Sequence, residues 1–346
     1  MGVLKAYCLD TGTRLAPFGD PVGECPLQRQ SLREAQEQAL ATHGLALVES
    51  PPESEDYLLF SDRCWFTAEA LGRFLEGAVA PAQVRVEDPT FLAVAPPIGD
   101  RDPGLFELAL LPAGNPPRFE GLPDFVLDLD IDTRDAPVEH PALSHAMPES
   151  LPFTDAGLAQ IEHWSELLRA NWLAMSCTVA REMRRFQRLP WWTKAWKLVG
   201  LLLRSRTLNP WRLAAALSQR GKDCKIHPTA VVEASVLGDG VEVGPFCVIR
   251  GSVLGDGVRI EEHAIVNASV LGPGARIGRR GTANLCLYFP GAFTGAGNGF
   301  QASVFGRDCF LAWSVTVMDL SFGKPIRVNH RGERHSSGSW FLGAAV

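Results

Sequence analysis

Long apolar runs are missing from this 346-residue sequence: nowhere does it reach the roughly 18 apolar residues of a membrane-spanning helix. The opening MGVLKAYCLD carries no apolar export core. None of the eight cysteines forms a CxxC pair, which leaves neither a zinc-ligand pattern nor a thiol–disulfide motif. Cysteines of this kind, without an export signal, read as reduced thiols in a cytoplasmic protein. With 46% hydrophobic and 21% charged residues, the composition excludes a disordered or collagen-like chain, and the length accommodates two domains.

Charge is unevenly spread. Residues 181–225 hold twelve Lys/Arg against Glu182 and Asp223, a local +10, so the net −6 leaves −16 for the remainder. Such a split marks a segment with a surface of its own. The acidic remainder would repel nucleic acid, which is therefore not an expected partner.

From residue 218 onward the chain repeats. SVLGDGVEVGPFCVIRG (235–251), SVLGDGVRIEEHAIVNA (252–268) and SVLGPGARIGRRGTANL (269–285) align without a gap at seventeen residues. SQRGKDCKIHPTAVVEA before them keeps phase; after a degenerate coil at 286–302, SVFGRDCFLAWSVTVMD returns to it. Aliphatic positions step by six, six and five, through Leu237, Val243, Ile249, Leu254, Ile260 and Val266. A helix would need steps of three and four. One inward aliphatic per short strand, with Gly and Asp at the corners, suits a triangular prism. The pattern resembles the hexapeptide-repeat, left-handed parallel β-helix family. The resemblance implies either a trimerising scaffold or an acyltransferase using acyl-CoA or acyl carrier protein, with a histidine base. Candidate bases are His227, His263, His330 and His335, of which His330 and His263 are carried forward. Residues 320–339 interrupt the repeat and combine His330 with Lys324, Arg327 and Arg331, cations suited to a substrate phosphate. The final Trp340–Val346 read as the opening of a further coil, either truncated or covered by something else.

Residues 5–140 alternate apolar runs with helical patterns, as an α/β layered domain does. AYCL and YLLF read as strands. SLREAQEQALATHG reads as a helix with Ser31 as N-cap, Glu34 completing a capping box and Gly44 closing it; FTAEALGRFLEGA is a second helix. Gly12-Thr13-Arg14-Leu15-Ala16-Pro17 resembles part of the G-G-x-G-T-R-L-x-P signature of sugar-phosphate nucleotidyltransferases. The resemblance implies a Rossmann-like domain with Gly12, Thr13 and Arg14 at a nucleotide. It also implies Asp62, at the end of YLLFSD, and Asp130, in VLDLDIDT, as ligands of Mg²⁺. Bifunctional N-acetylglucosamine-phosphate uridylyltransferases and glucose-phosphate pyrophosphorylases join such a domain to a left-handed β-helix. The departures are specific. Leu9-Asp10 stands for the leading Gly-Gly, Gly19 for the signature Thr, and Gly23-Glu24 for Pro-Lys, so a carboxylate replaces the phosphate-neutralising cation.

Between the two lies a basic, tryptophan-rich middle. Residues 155–189 read as one amphipathic helix, broken by Pro190, and Pro210-Trp211-Arg212 opens a shorter one. WWTKAWKLVGLLLRSR suits either an interfacial helix on an anionic membrane or a connector whose tryptophans are buried between domains.

The expected organisation is a reduced nucleotidyltransferase-like domain (1–150), a helical connector (151–217) and a β-helix (218–346) with its inserted loop. The expected function is a transferase-family protein of sugar-nucleotide or envelope glycan/lipid metabolism with an impaired nucleotidyl-transfer site. The partners implied are a nucleotide or sugar nucleotide, further copies forming a homotrimer, and an anionic membrane at 188–212. The alternatives are an acyltransferase or a non-catalytic scaffold or regulatory subunit.

Overall fold

A computed structural model describes residues 5–94, 96–135, 150–317, 320–321 and 324–346. They divide into two units: Met1–Arg181 with Ser321–Phe341, and Glu182–Leu320 with Leu342–Val346.

The first unit is built on a six-stranded mixed sheet. β1 (Lys5–Leu9) is followed by two small hairpins, β2–β3 (Arg14–Leu15 with Asp20–Pro21) and β4–β5 (Pro26–Leu27 with Gln30–Ser31). α1 (Leu32–Thr42) begins at the expected capping box: Ser31 Oγ accepts from the Glu34 N–H, and the Glu34 carboxylate accepts from the Ser31 N–H. Then come β6 (Ala46–Val48), β7 (Tyr57–Ser61), β8 (Cys64–Phe66) and α2 (Ala68–Gly77), the last capped by Thr67. β9 (Ala82–Arg85), α3 (Pro89–Val94), β10 (Leu105–Leu111) and β11 (Asp124–Val126) complete the layer. The order is β11-β9-β10-β7-β1-β6, with β1 parallel to both neighbours. β7 is buried along its whole length, which is why YLLF reads as a continuous apolar run and not as an alternation.

The expected helix over 155–189 is shorter. Leu158–Gln160 is a strand, β14, that follows the peripheral pair β12–β13 (Asp132–Asp135 with Ser150–Phe153) and lies antiparallel to β8. Leu158 is buried within this strand and Ile161 just after it, before α4 (Trp164–Arg188) starts. α5 (Trp191–Ser205) and α6 (Pro210–Ala216) belong to the second unit.

The second unit is a parallel β-helix of about five turns, the left-handed prism implied by the repeat. Each strand pairs with the one seventeen residues later, as in Val236↔Val253, Glu242↔Arg259 and Val248↔Ile265. The corners use the left-handed backbone region at the same interval. Gly240, Gly257, Gly274 and Gly291 turn one corner, and Phe246, His263 and Arg280 another. Glycine makes the first corner without steric cost; the second is held against its cost by rung-to-rung bonds such as His263 N–H to Pro245 O (3.0 Å). Inside, Leu237, Leu254, Leu271, Tyr288 and Phe305 stack in register and are fully or almost fully buried. A ladder of serines runs beside them: Ser252 N–H donates to Ser235 Oγ (3.1 Å) and Ser269 N–H to Ser252 Oγ (3.2 Å). The degenerate coil keeps the register. The last residues do open a further rung: Val304 N–H bonds Ala344 O and Gly306 N–H bonds Val346 O.

Candidate functional site: the loop after the first strand

Parallel pairing of β1 with β7, Leu9 opposite Ser61, brings two strand ends together. β6 lies on one side of β1 and β7 on the other, so these ends form a switch point of the sheet, where open α/β sheets bind ligands. The loop Asp10–Arg14 leaves one end and Asp62 the other. Thr11 Oγ1 donates to Asp62 Oδ1 at 2.7 Å, and the Thr11 N–H reaches the same oxygen at 3.3 Å. The Gly12 N–H donates to Asp10 Oδ1 (2.8 Å), and the Thr13 N–H to Thr11 Oγ1 (3.3 Å). Arg14 turns its guanidinium to Gly19 O at 2.7 Å. Burial raises the Asp62 carboxyl, the Thr11 bonds work against that, and the Asp10 charge adds to it. The neighbouring Cys8 thiol is pushed up to about 12, mainly by burial, so it is no nucleophile at neutral pH.

The structure thus gathers Gly12, Thr13, Arg14 and Asp62, and it also spends the donors that a phosphate would need. A phosphate cradle works because backbone N–H groups point at empty space. Here three successive N–H groups already point at Asp62, Asp10 and Thr11.

Asp130 stands elsewhere. It lies four residues beyond β11, a strand that β9 and β10 separate from β7. There its carboxylate faces Arg73 at 3.8 Å. A divalent ion needs oxygens from several groups within about 2.1 Å of one point. Asp62 accepts from Thr11, and Asp130 faces Arg73. Among the described residues no three His, Cys, Asp or Glu side chains are grouped to hold a metal ion.

The cations Lys324, Arg327 and Arg331 lie in the first unit; Arg327 and Arg331 sit on a hairpin pairing Arg327–His330 with Glu333–Ser336, and Lys324 just precedes it. Arg331 is ion-paired to Glu162 (3.0 Å), Arg327 donates to Arg334 O (2.7 Å), and Lys324 is exposed. They do not converge on one point. The His330 ring meets His163 edge-on (5.7 Å between centroids) and His335 (6.1 Å). His330 is lowered by partial burial and by Arg331. His163 is lowered further, to about 4, by burial first and then by the charge of His330; its ring nitrogens meet Ser165 Oγ and Asn329 O. The β-helix histidines are corner residues. His263 is exposed and stacked on Phe246 (5.1 Å, 14°), and His227 bonds Thr229 Oγ1 (2.8 Å).

A charged layer that local sequence does not reveal surrounds the start of α4. Arg63 binds both Glu107 and Glu162, and Arg101 binds Glu166 at 2.8 Å. Burial is the largest influence on Glu107 and would raise it, but the hydrogen bonds it accepts and the charge of Arg63 together outweigh burial and leave the carboxyl low. Glu166 also accepts from the N–H groups of Ile98, Glu162 and His163, capping the helix. Arg169, buried, spends its charge on the carbonyls of Pro96 and Ser337. Local sequence does not signal this, because a helix read over 155–189 places Glu166 in its interior rather than in the first turn.

No protein-family model matches the chain, and no curated protein resembles it significantly.

Proposed function

We propose that this chain is a non-transferring scaffold or regulatory protein of sugar-nucleotide or envelope-glycan metabolism, with a nucleotidyltransferase-like domain whose phosphate loop has closed on itself. One observation carries the reading: the N–H groups of Thr11, Gly12 and Thr13 are each taken by an oxygen of the protein itself. A bound triphosphate would have to displace two carboxylates, Asp10 and Asp62, and would then lie against them. Electrostatic stabilisation of a transferring phosphoryl group requires the opposite sign. Glu24, exposed where the signature lysine would be, adds to the repulsion.

Thermal-shift titration of the full chain tests it, because a ligand of the native state raises the melting temperature by mass action. Nucleoside triphosphates with Mg²⁺ should give no shift at concentrations where transferases saturate, and neither should acetyl-CoA. A saturable shift that Asp62→Ala abolishes would overturn the proposal. A shift with acyl-CoA abolished by His263→Ala or His330→Ala would favour acyl transfer instead.

A further inference from the structure

The helices at 191–216 present a surface that the nucleotide loop does not explain. α5 buries only Ser205. Trp192, Trp196, Val199 and Leu203 follow at intervals of four, three and four, a single stripe of the helix. These side chains are 55, 75, 43 and 70% exposed. Trp191 (76%), Leu198 (50%) and Leu202 (39%) flank the stripe on one side. Lys194, Lys197 and Arg204 occupy the rest of the circumference. The next turns continue the pattern, with Leu208 78%, Trp211 61% and Leu217 59% exposed, and Arg206 and Arg212 between them. No acidic residue occurs from Met183 to Lys222. The arm is not loose: Asn209 caps α6, Ala234 N–H bonds Ala214 O (2.9 Å), and the Arg250 guanidinium lies 5.4 Å from the centre of the Trp211 ring.

We propose that α5 and α6 dock on an anionic lipid bilayer, α5 lying in the headgroup plane with Trp192, Trp196, Val199 and Leu203 inserted. Three features choose this occupant. The first is charge: a lysine- and arginine-flanked apolar face without carboxylates complements an anionic surface, whereas the cores of protein interfaces are depleted of lysine. The second is residue type, since tryptophan favours the depth where one edge of the ring is apolar and the other wet. The third is length. Fifteen residues make about 22 Å of helix, short of the roughly 30 Å hydrocarbon core. No described helix is long and apolar enough to cross a membrane, so the arm lies on the surface.

Flotation of the full chain with vesicles tests this. On phosphatidylglycerol-rich vesicles at low salt the wild type should float, its tryptophan emission shifting to the blue. On pure phosphatidylcholine it should bind at least tenfold more weakly, because each cation near an anionic surface is worth about a fivefold change in affinity. High salt should weaken binding. Trp192→Ala/Trp196→Ala and Lys194→Glu/Lys197→Glu should each lower binding tenfold or more, with melting temperature and far-ultraviolet dichroism unchanged as the folding control. If the wild type stays in the pellet at low salt, or if both double variants bind like it, the proposal fails. Loss of self-association in Trp192→Ala/Trp196→Ala without any vesicle binding would assign the face to a second copy. A blue-shifted emission in free protein that vesicles leave unchanged would assign it to packing within the chain.

Discussion

At the scale of single residues, Asp10 and His163 show how one side chain decides what its surroundings can do. Asp10 uses its carboxylate to hold the Gly12 N–H. One side chain thus occupies a backbone donor and sets a negative charge beside it. His163 is a neutral imidazole kept at about pKa 4 by burial and by the neighbouring charges of His330 and Arg169. Its folded value lies below the unfolded one near 6.5, so its contribution to stability is complete above pH 6.5 and is lost as pH falls through 4. A shift of that size corresponds to roughly 3 kcal/mol at most. Urea denaturation between pH 7 and 4 should therefore show an acid decline that His163→Gln flattens. An equally steep decline in the variant would show that other groups set it.

At the scale of elements, the β-helix was legible because its physics is periodic. Inward aliphatics, glycine corners and the serine ladder all recur at seventeen residues, so phase alone fixed the register. The capping box of α1 was equally plain, being a local exchange between Ser31 and Glu34. The spacing of Leu158 and Ile161 fits a helix, but pairing with Cys64–Phe66, invisible in local sequence, makes Leu158–Gln160 a strand. The cations at 320–339 suggested an anion site because nothing nearby in sequence reveals that Arg331 faces Glu162. Amphipathic spacing in α5 likewise looks the same whether the stripe meets protein or lipid; only its exposure separates the two. Tight stacking of coils also makes a prediction. A Cβ on Gly272 would come within 2.7 Å of Pro290 N and 2.9 Å of Tyr288 O in the next coil's backbone. Gly272→Ala should cost about 1–3 kcal/mol of stability. Gly274→Asn, at a left-handed corner with nothing within 4 Å, should cost far less. Denaturant midpoints compare them directly, and equal losses would contradict the stacked-coil account.

At the scale of the whole molecule, one β-helix face turns apolar side chains outward: Val231 and Ile265 are 39 and 38% exposed, with Phe246 (57%) at the adjoining corner. The resemblance to hexapeptide-repeat β-helices implies that threefold packing covers such a face. Light scattering at micromolar concentration should give three times the chain mass, and Ile265→Lys should shift it towards monomer; a wild-type monomer would contradict the assembly. A trimer would also multiply lipid contact, since three arms engaging one surface bind far more tightly than one. The loop at Thr11–Thr13 decides whether the chain can transfer a nucleotidyl group. Pyrophosphate release in the presence of Mg²⁺, nucleoside triphosphates and sugar 1-phosphates measures that loop most directly. The closed loop predicts no release above the enzyme-free rate. Sustained release by the wild type that disappears in Asp62→Ala would contradict it.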